Sequence, residues 1–172
     1  GQVHAGIRAV FEPQAVYDCR VNLYGGRLRE YMRAHSRTDS NIDGIAYLDL
    51  YLQGHGADFK KFTGRGKLDV LEADIDRLPV IQDIFRIGNL KLPAGKAFEE
   101  LTSNFRIDDK LVTIERLELL GPAEIVGPSF NLVNDREGTL DTRTRDIELM
   151  LSARWGRGRF RIPVLTPSFN LA

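Results

Sequence analysis

Apolar and polar residues alternate with a period of two along most of the chain. This is the pattern of strands with one packed face and one wet face. In 45–52, Leu48, Leu50 and Leu52 fall on one face and Tyr47, Asp49 and Tyr51 on the other. Residues 112–119 nearly alternate as well, and Ile147, Leu149 and Leu151 share one side of the run 147–151. Similar runs lie at 3–11, 16–24, 64–70, 97–107, 124–133 and 140–145. Turn-forming residues punctuate them: Asn41 to Gly44, Asp108-Asp109, Asn134-Asp135 and Glu137-Gly138. Such residues tolerate positive φ or bond their own backbone. The pattern predicts about eight to ten strands in antiparallel meander order. Its phase is ambiguous at 111–120, where Leu111, Leu117 and Leu119 have the opposite parity to Ile114.

Two segments break the alternation. In 26–37, Leu28, Tyr31, Met32 and His35 recur at the spacing of one helical face. In 76–87, Asp76 suits an N-cap, Pro79 the first turn, and Gly88 the position after the last periodic residue. Its apolar positions, including Ile81 and Phe85, cover more than a narrow stripe. The expectation is a buried helix against the apolar face of a curved sheet.

Composition narrows the class. The 172 residues suit one domain with a real core, needing no disulfide or metal staple. Lys and Arg (24) cancel Asp and Glu (24), which argues against a dedicated nucleic-acid binder. The lone Cys19 excludes an intramolecular disulfide and a Cys-based zinc site. No apolar run approaches the roughly 18 residues of a membrane span. Gly1 is not Met and no leader pattern follows, so an excised module of a longer protein is expected. The stretch 151–172 carries Arg154, Arg157, Arg159 and Arg161 and no acid.

No enzymatic constellation emerges. His4, His35 and His55 are scattered without zinc-binding spacing. Cys19 lacks a nearby basic partner that would make it a nucleophile. Gly64-Arg65-Gly66-Lys67 runs into a strand and not a helix, so close backbone approach or a bulge explains its glycines better than a phosphate loop. The acid pairs (Asp108-Asp109, Glu99-Glu100, Asp74 with Asp76) read as turns, caps or wet faces. The Arg-Gly unit at 155–160 is one short stretch before an alternating strand. No cofactor or metal is expected.

Several segments together resemble a known family. They are Tyr17-Asp18 leading to Leu23-Tyr24-Gly25-Gly26-Arg27-Leu28, and Gly44 to Leu50 followed by Gly54-His55-Gly56-Ala57-Asp58. The run Phe62 to Val70 continues to Ala73-Asp74-Ile75 and Leu78-Pro79. Phe105 to Ile114 precedes Leu117-Glu118-Leu119, Gly121-Pro122-Ala123 and Ile125-Val126-Gly127. Over about residues 15–165 the chain resembles the C-terminal region of AsmA-like envelope proteins, relatives of TamB and YhdP-type proteins. Lys110 stands where the family's turn usually has Gly, and Pro128-Ser129 replaces a late glycine.

The resemblance implies a long β-groove in the envelope of diderm bacteria, tethered to the inner membrane by an N-terminal helix and lined by aliphatics that hold acyl chains. It implies a part in phospholipid transport between membranes or in outer-membrane assembly, and no catalysis. The expected architecture is therefore mainly β with two helices. A curved antiparallel sheet or half-barrel, spanning 1–172 as a single domain, would hold the helix 76–87 in its concavity. Leu48, Leu50, Leu52, Ile114, Ile147, Leu149 and Leu151 are the candidate lipid-contacting residues, with Arg157, Arg159 and Arg161 as candidate headgroup partners. The expected partners are phospholipid acyl chains and other envelope proteins, not nucleic acid. The expected location is the periplasm, with the inner-membrane tether outside this chain. Two alternatives are a docking module that binds a protein through a sheet edge and, further off, a glycan-acting β-sandwich enzyme.

Overall fold

The computed structural model describes residues 1–10, 15–35, 43–56, 62–75, 98–121, 130–144, 146–155 and 158–164. The side chains of Met32, His35, Phe130 and 153–164 are outside the description. Ten strands and one short helix follow one another: β1 (Gln2–Val10), β2 (Val16–Arg27), α1 (Leu28–His35), β3 (Ile45–His55), β4 (Phe62–Leu71), β5 (Glu100–Asp108), β6 (Leu111–Leu120), β7 (Phe130–Asn134), β8 (Gly138–Asp141), β9 (Asp146–Trp155) and β10 (Gly158–Val164). The strands form a single antiparallel sheet in chain order, with β1 and β10 at its edges. β7 and β8 together act as one interrupted strand, since both pair β6 on one side and β9 on the other.

The predicted helix in 26–37 is α1, and it starts later because β2 continues to Arg27. A bulge carries β2 past the expected strand run 16–24: its register on β3 shifts between Leu23 and Gly26, and Gly25 supplies the positive φ of 64°. The predicted helix 76–87 lies outside the described residues. The strand expected at 124–133 is described only as β7. The run 140–145 is strand as far as Asp141, and 142–144 form a turn.

Cross-strand register sorts the side chains into two faces, because direct partners in an antiparallel ladder point the same way. One row on the apolar face runs Cys19, Leu52, Gly64, Ile107, Val112, Leu140, Ile147. A second runs Val21, Leu50, Gly66, Phe105, Ile114, Gly138. A third runs Leu23, Leu48, Leu68, Ser103, Leu117. The fourth, Ala46, Val70, Leu101, Leu119, Leu132, belongs to the closed core. There Ala73, Ile75 and Phe98 join Val70, Leu119, Leu132, Leu149 and Leu151 in one buried cluster.

The ambiguous phase of β6 is resolved by a second bulge. Asn104 pairs with Arg116 and Phe105 with Ile114, so Glu115 has no partner on β5. The extra residue inverts the parity: Val112 and Ile114 before it, and Leu117 and Leu119 after it, all reach the apolar face. Leu111 lands on the other face and is exposed.

On the other side of β6, residues 115–117 fall between the stretches that pair β8 and β7, and one side chain takes up backbone groups left there. Asn134, where β7 breaks, accepts the Leu117 N–H at 2.7 Å and donates to the carbonyls of Glu115 (3.2 Å) and Arg136 (3.0 Å). Beside it the fully buried Ser152 donates its hydroxyl to Asp135 at 2.6 Å. Asn134→Ala should leave the Leu117 donor without its acceptor and cost about 1–3 kcal/mol. Urea unfolding should record a lower midpoint with an unchanged slope.

The turn after β8 is held by Asp141, whose carboxylate accepts the Arg143 N–H at 2.8 Å. That N–H bond, and then the Thr144 N–H and the Arg143 guanidinium, hold the Asp141 carboxyl below the usual carboxylate range against a smaller opposing effect of burial. A lowered folded-state pKa stabilises the fold above about pH 4, and the benefit is lost as pH falls below that. The gap in urea midpoint between the parent and Asp141→Asn should be widest at neutral pH and close in acid.

Candidate functional site

The sheet presents two unlike surfaces, each with a hollow. On the apolar face, α1 turns back after β2 and its first residue anchors it: Leu28 donates its N–H to the Gly44 carbonyl at 3.0 Å and packs against the core cluster. Arg29 adds an ion pair to Asp43. Between α1 and the sheet lies a hollow of about 540 Å³. Val3, Leu23, Leu28, Ala46, Leu48 and Leu68 give it an apolar wall, and Arg27 and Glu30 stand at its rim, 3.8 Å apart. Tyr31 also lines it, and that ring is 60% exposed although the helical pattern assigned it to the packed face.

The candidate residues divide by burial. Leu48, Leu50, Leu52, Ile114 and Ile147 are half-buried on the apolar face, and of these only Leu48 lines the hollow. Leu149 and Leu151 share that face but are closed into the core, at 3% and 0% exposure. Their contacts are already made by protein, so they serve packing. Arg157 lies outside the described residues. Arg159 and Arg161 are β10 positions in register with Arg154 and Ser152.

The glycines 64 and 66 sit in a regular stretch of β4, not in a bulge. Gly66 is needed for close approach, because a Cβ there would fall 2.3 Å from Cζ of Phe105, its partner on β5. Cys19 is a free, half-buried thiol opposite Leu52. His4 meets Tyr24 edge-on with centroids 6.0 Å apart, on the opposite face. Among the described residues no group of His, Cys, Asp and Glu could hold a metal ion, and no helix is long and apolar enough to cross a membrane.

The polar face carries the feature that sequence reading missed. Register lines up Arg20, Tyr51, Arg65 and Arg106 directly abreast on four successive strands. The next row holds Asn22, Asp49, Lys67, Asn104 and Arg116. A hollow of about 580 Å³ lies over both rows. The one sequence signal was Arg65 beside Lys67 in the glycine-rich run. Its neighbours Arg20 and Arg106 are each about 40 residues away in sequence and meet it only through the ladder.

Comparison with family models, with curated proteins and with solved structures gave no match to this chain. The class that the fold defines is therefore a mainly β domain built on one large antiparallel sheet.

Leu151→Ala should behave as a core truncation and lower stability by about 2–5 kcal/mol. Leu50→Ala, on the half-buried part of the same face, should cost less in the same thermal or urea titration.

Proposed function

We propose that this chain is a non-enzymatic, lipid-contacting segment of a bacterial envelope protein of the AsmA-like kind. In this reading its sheet curves into a groove with the 76–87 helix in the concavity. The segment serves intermembrane phospholipid transport or outer-membrane assembly in the periplasm, and its inner-membrane tether lies outside this chain. The observation that carries the reading is the apolar hollow under α1. Leu23, Leu48 and Leu68, abreast on three strands, floor it, and Leu28 lies on its helical side. A hollow of about 540 Å³ with such walls suits a hydrocarbon chain, and each methylene moved there from water is worth about 0.8 kcal/mol. The half-buried row through Leu50, Phe105 and Ile114 continues the apolar surface along the sheet.

A second reading has its own observation. Every residue of the edge strand β1 is exposed, including Val3 at 66% and Ile7 at 79%. An unprotected edge of that length is a template for another strand, which supports docking of a protein partner by strand addition.

The two readings part in one experiment. A photo-crosslinking residue is placed in cells at Leu48, at Leu50, at Tyr47 on the opposite face, and at Ile7. Lipid adducts at Leu48 and Leu50 but not at Tyr47, abolished at Leu50 by Leu48→Arg, are expected from a lipid-contacting face. Protein adducts at Ile7 without lipid at either leucine would overturn that reading in favour of docking.

A further inference from the structure

The second hollow lies on the other side of the sheet from the apolar one, so an occupant of the first cannot reach it. Its chemistry differs too. Directly opposed like charges destabilise a sheet, yet Arg65 and Arg106 are direct partners on β4 and β5. Arg106 is neutralised by Glu115 at 2.9 Å and Glu137 at 3.8 Å. Arg65 has no ion pair or hydrogen bond among the described residues. Two strands from Arg65 in the same row, Arg20 lies over the Tyr51 ring at 5.9 Å from its centroid, a contact that leaves its guanidinium edge without an acid.

Lys67 pairs with Asp69 at 2.7 Å and Glu115 with Arg106, while the Asp49 carboxylate, one row away, accepts from the neutral Asn22 amide at 3.0 Å and keeps its charge. In the row of Tyr51 itself a pair of guanidiniums flanks the aromatic ring. Beside them is a further unmet group: Asn104 Oδ1, at the wall of the same hollow, is shielded from solvent without a hydrogen-bond donor.

We infer that this hollow binds a phosphate ester that also carries a hydroxyl group. The phosphate lies between Arg20 and Arg65 above Tyr51, where two guanidinium forks can each donate two parallel N–H bonds to its oxygens. The Asn104 side chain lines the hollow, and a turn of its amide brings the shielded Oδ1 out to accept the ester's hydroxyl, satisfying the acceptor that the fold leaves open. The negative charge also gives Arg65 the counter-charge that Glu115 and Glu137 already give Arg106. A free phosphate ester and a glycerophosphate lipid headgroup share this chemistry.

The experiment uses two probes with the whole chain: glycerol 3-phosphate in solution, and phosphatidylcholine vesicles with or without phosphatidylglycerol. Each is titrated against the parent protein, Arg65→Gln, Asn104→Ala and, as a control, Arg136→Gln, whose arginine pairs with Glu148 elsewhere. Circular dichroism confirms that each variant is folded. Amide chemical shifts of Tyr51, Arg65 and Asn104 should move with the probe that binds. Arg65→Gln should weaken binding about 10- to 100-fold, Asn104→Ala less, and Arg136→Gln not at all. Binding of glycerol 3-phosphate alone assigns a soluble ester, and binding only to phosphatidylglycerol vesicles assigns a headgroup. Failure of both probes overturns the inference, as does an equal loss in Arg65→Gln and Arg136→Gln, which would mean general attraction of anions. Equal affinity for inorganic phosphate and glycerol 3-phosphate, indifferent to Asn104→Ala, removes the hydroxyl contact. Lipid crosslinking at Leu48 should be untouched by Arg65→Gln, so the two faces fail or succeed separately.

Discussion

The two-faced character of this sheet depends on one side-chain amide. A strand of strict alternation cannot keep both Ile114 and Leu117 on the same side, because three residues of spacing always separate the faces. β6 does so by spending a residue, Glu115, that has no partner on β5, and on its other side residues 115–117 fall in the gap between the β8 and β7 pairings. Asn134 has an acceptor and two donors on one planar group, and it bonds the Leu117 N–H and the Glu115 carbonyl where β7 gives way to β8. The same bulge swings Glu115 onto the polar face, within reach of Arg106. A single irregularity thus closes the apolar rows and neutralises one arginine of the opposite row.

From this constraint follows an uneven division of the apolar face. At the end where β4 leaves the sheet and β5 enters it, Ala73, Ile75 and Phe98 lie over Val70 and Leu119, and the face is closed. The backbone of this cover is tied in as well, since Ala73 donates to the Glu99 carbonyl at 3.1 Å and Glu99 to that of Leu120 at 2.9 Å. Towards Leu50 and Leu52 the same face is only half-buried. A sheet that closes one end of its apolar face and leaves apolar surface towards the other has a closed core and accessible apolar surface side by side. The polar face carries charged and polar rows instead, in which Arg106 is paired with Glu115 and Arg65 has no acid among the described residues.

Several individual residues were legible in advance. Leu48, Leu50 and Leu52 share a face, with Tyr47, Asp49 and Tyr51 on the other, because the pleat allows no alternative within one unbroken strand. The turn at Asp109 is where its residue type suggested, with a positive φ of 53°. The alternation ended at Tyr24 and a helix was expected from Gly26, but Gly25-Gly26 is a bulge within β2, and only the register on β3 distinguishes that from a strand end. Tyr31 satisfies a helical spacing and is nevertheless exposed, because the eight-residue α1 is anchored by Leu28 and packs only part of its length against the sheet.

Local order along the chain determined most of the strands, the turns at residues such as Asp109, and their antiparallel succession, since these follow from side-chain alternation and turn chemistry. Tertiary structure alone decided the rest. Whether Leu149 and Leu151 serve a ligand or a core depended on residues 73, 75 and 98 arriving from elsewhere in the chain. Whether Arg20, Tyr51 and Arg65 form a site depended on the registers of three strands, each set by the sum of many ladder bonds and cross-strand contacts. A shift of one residue in any of these registers would move every side chain of that strand to the other face, and no property of the individual segments excludes that shift.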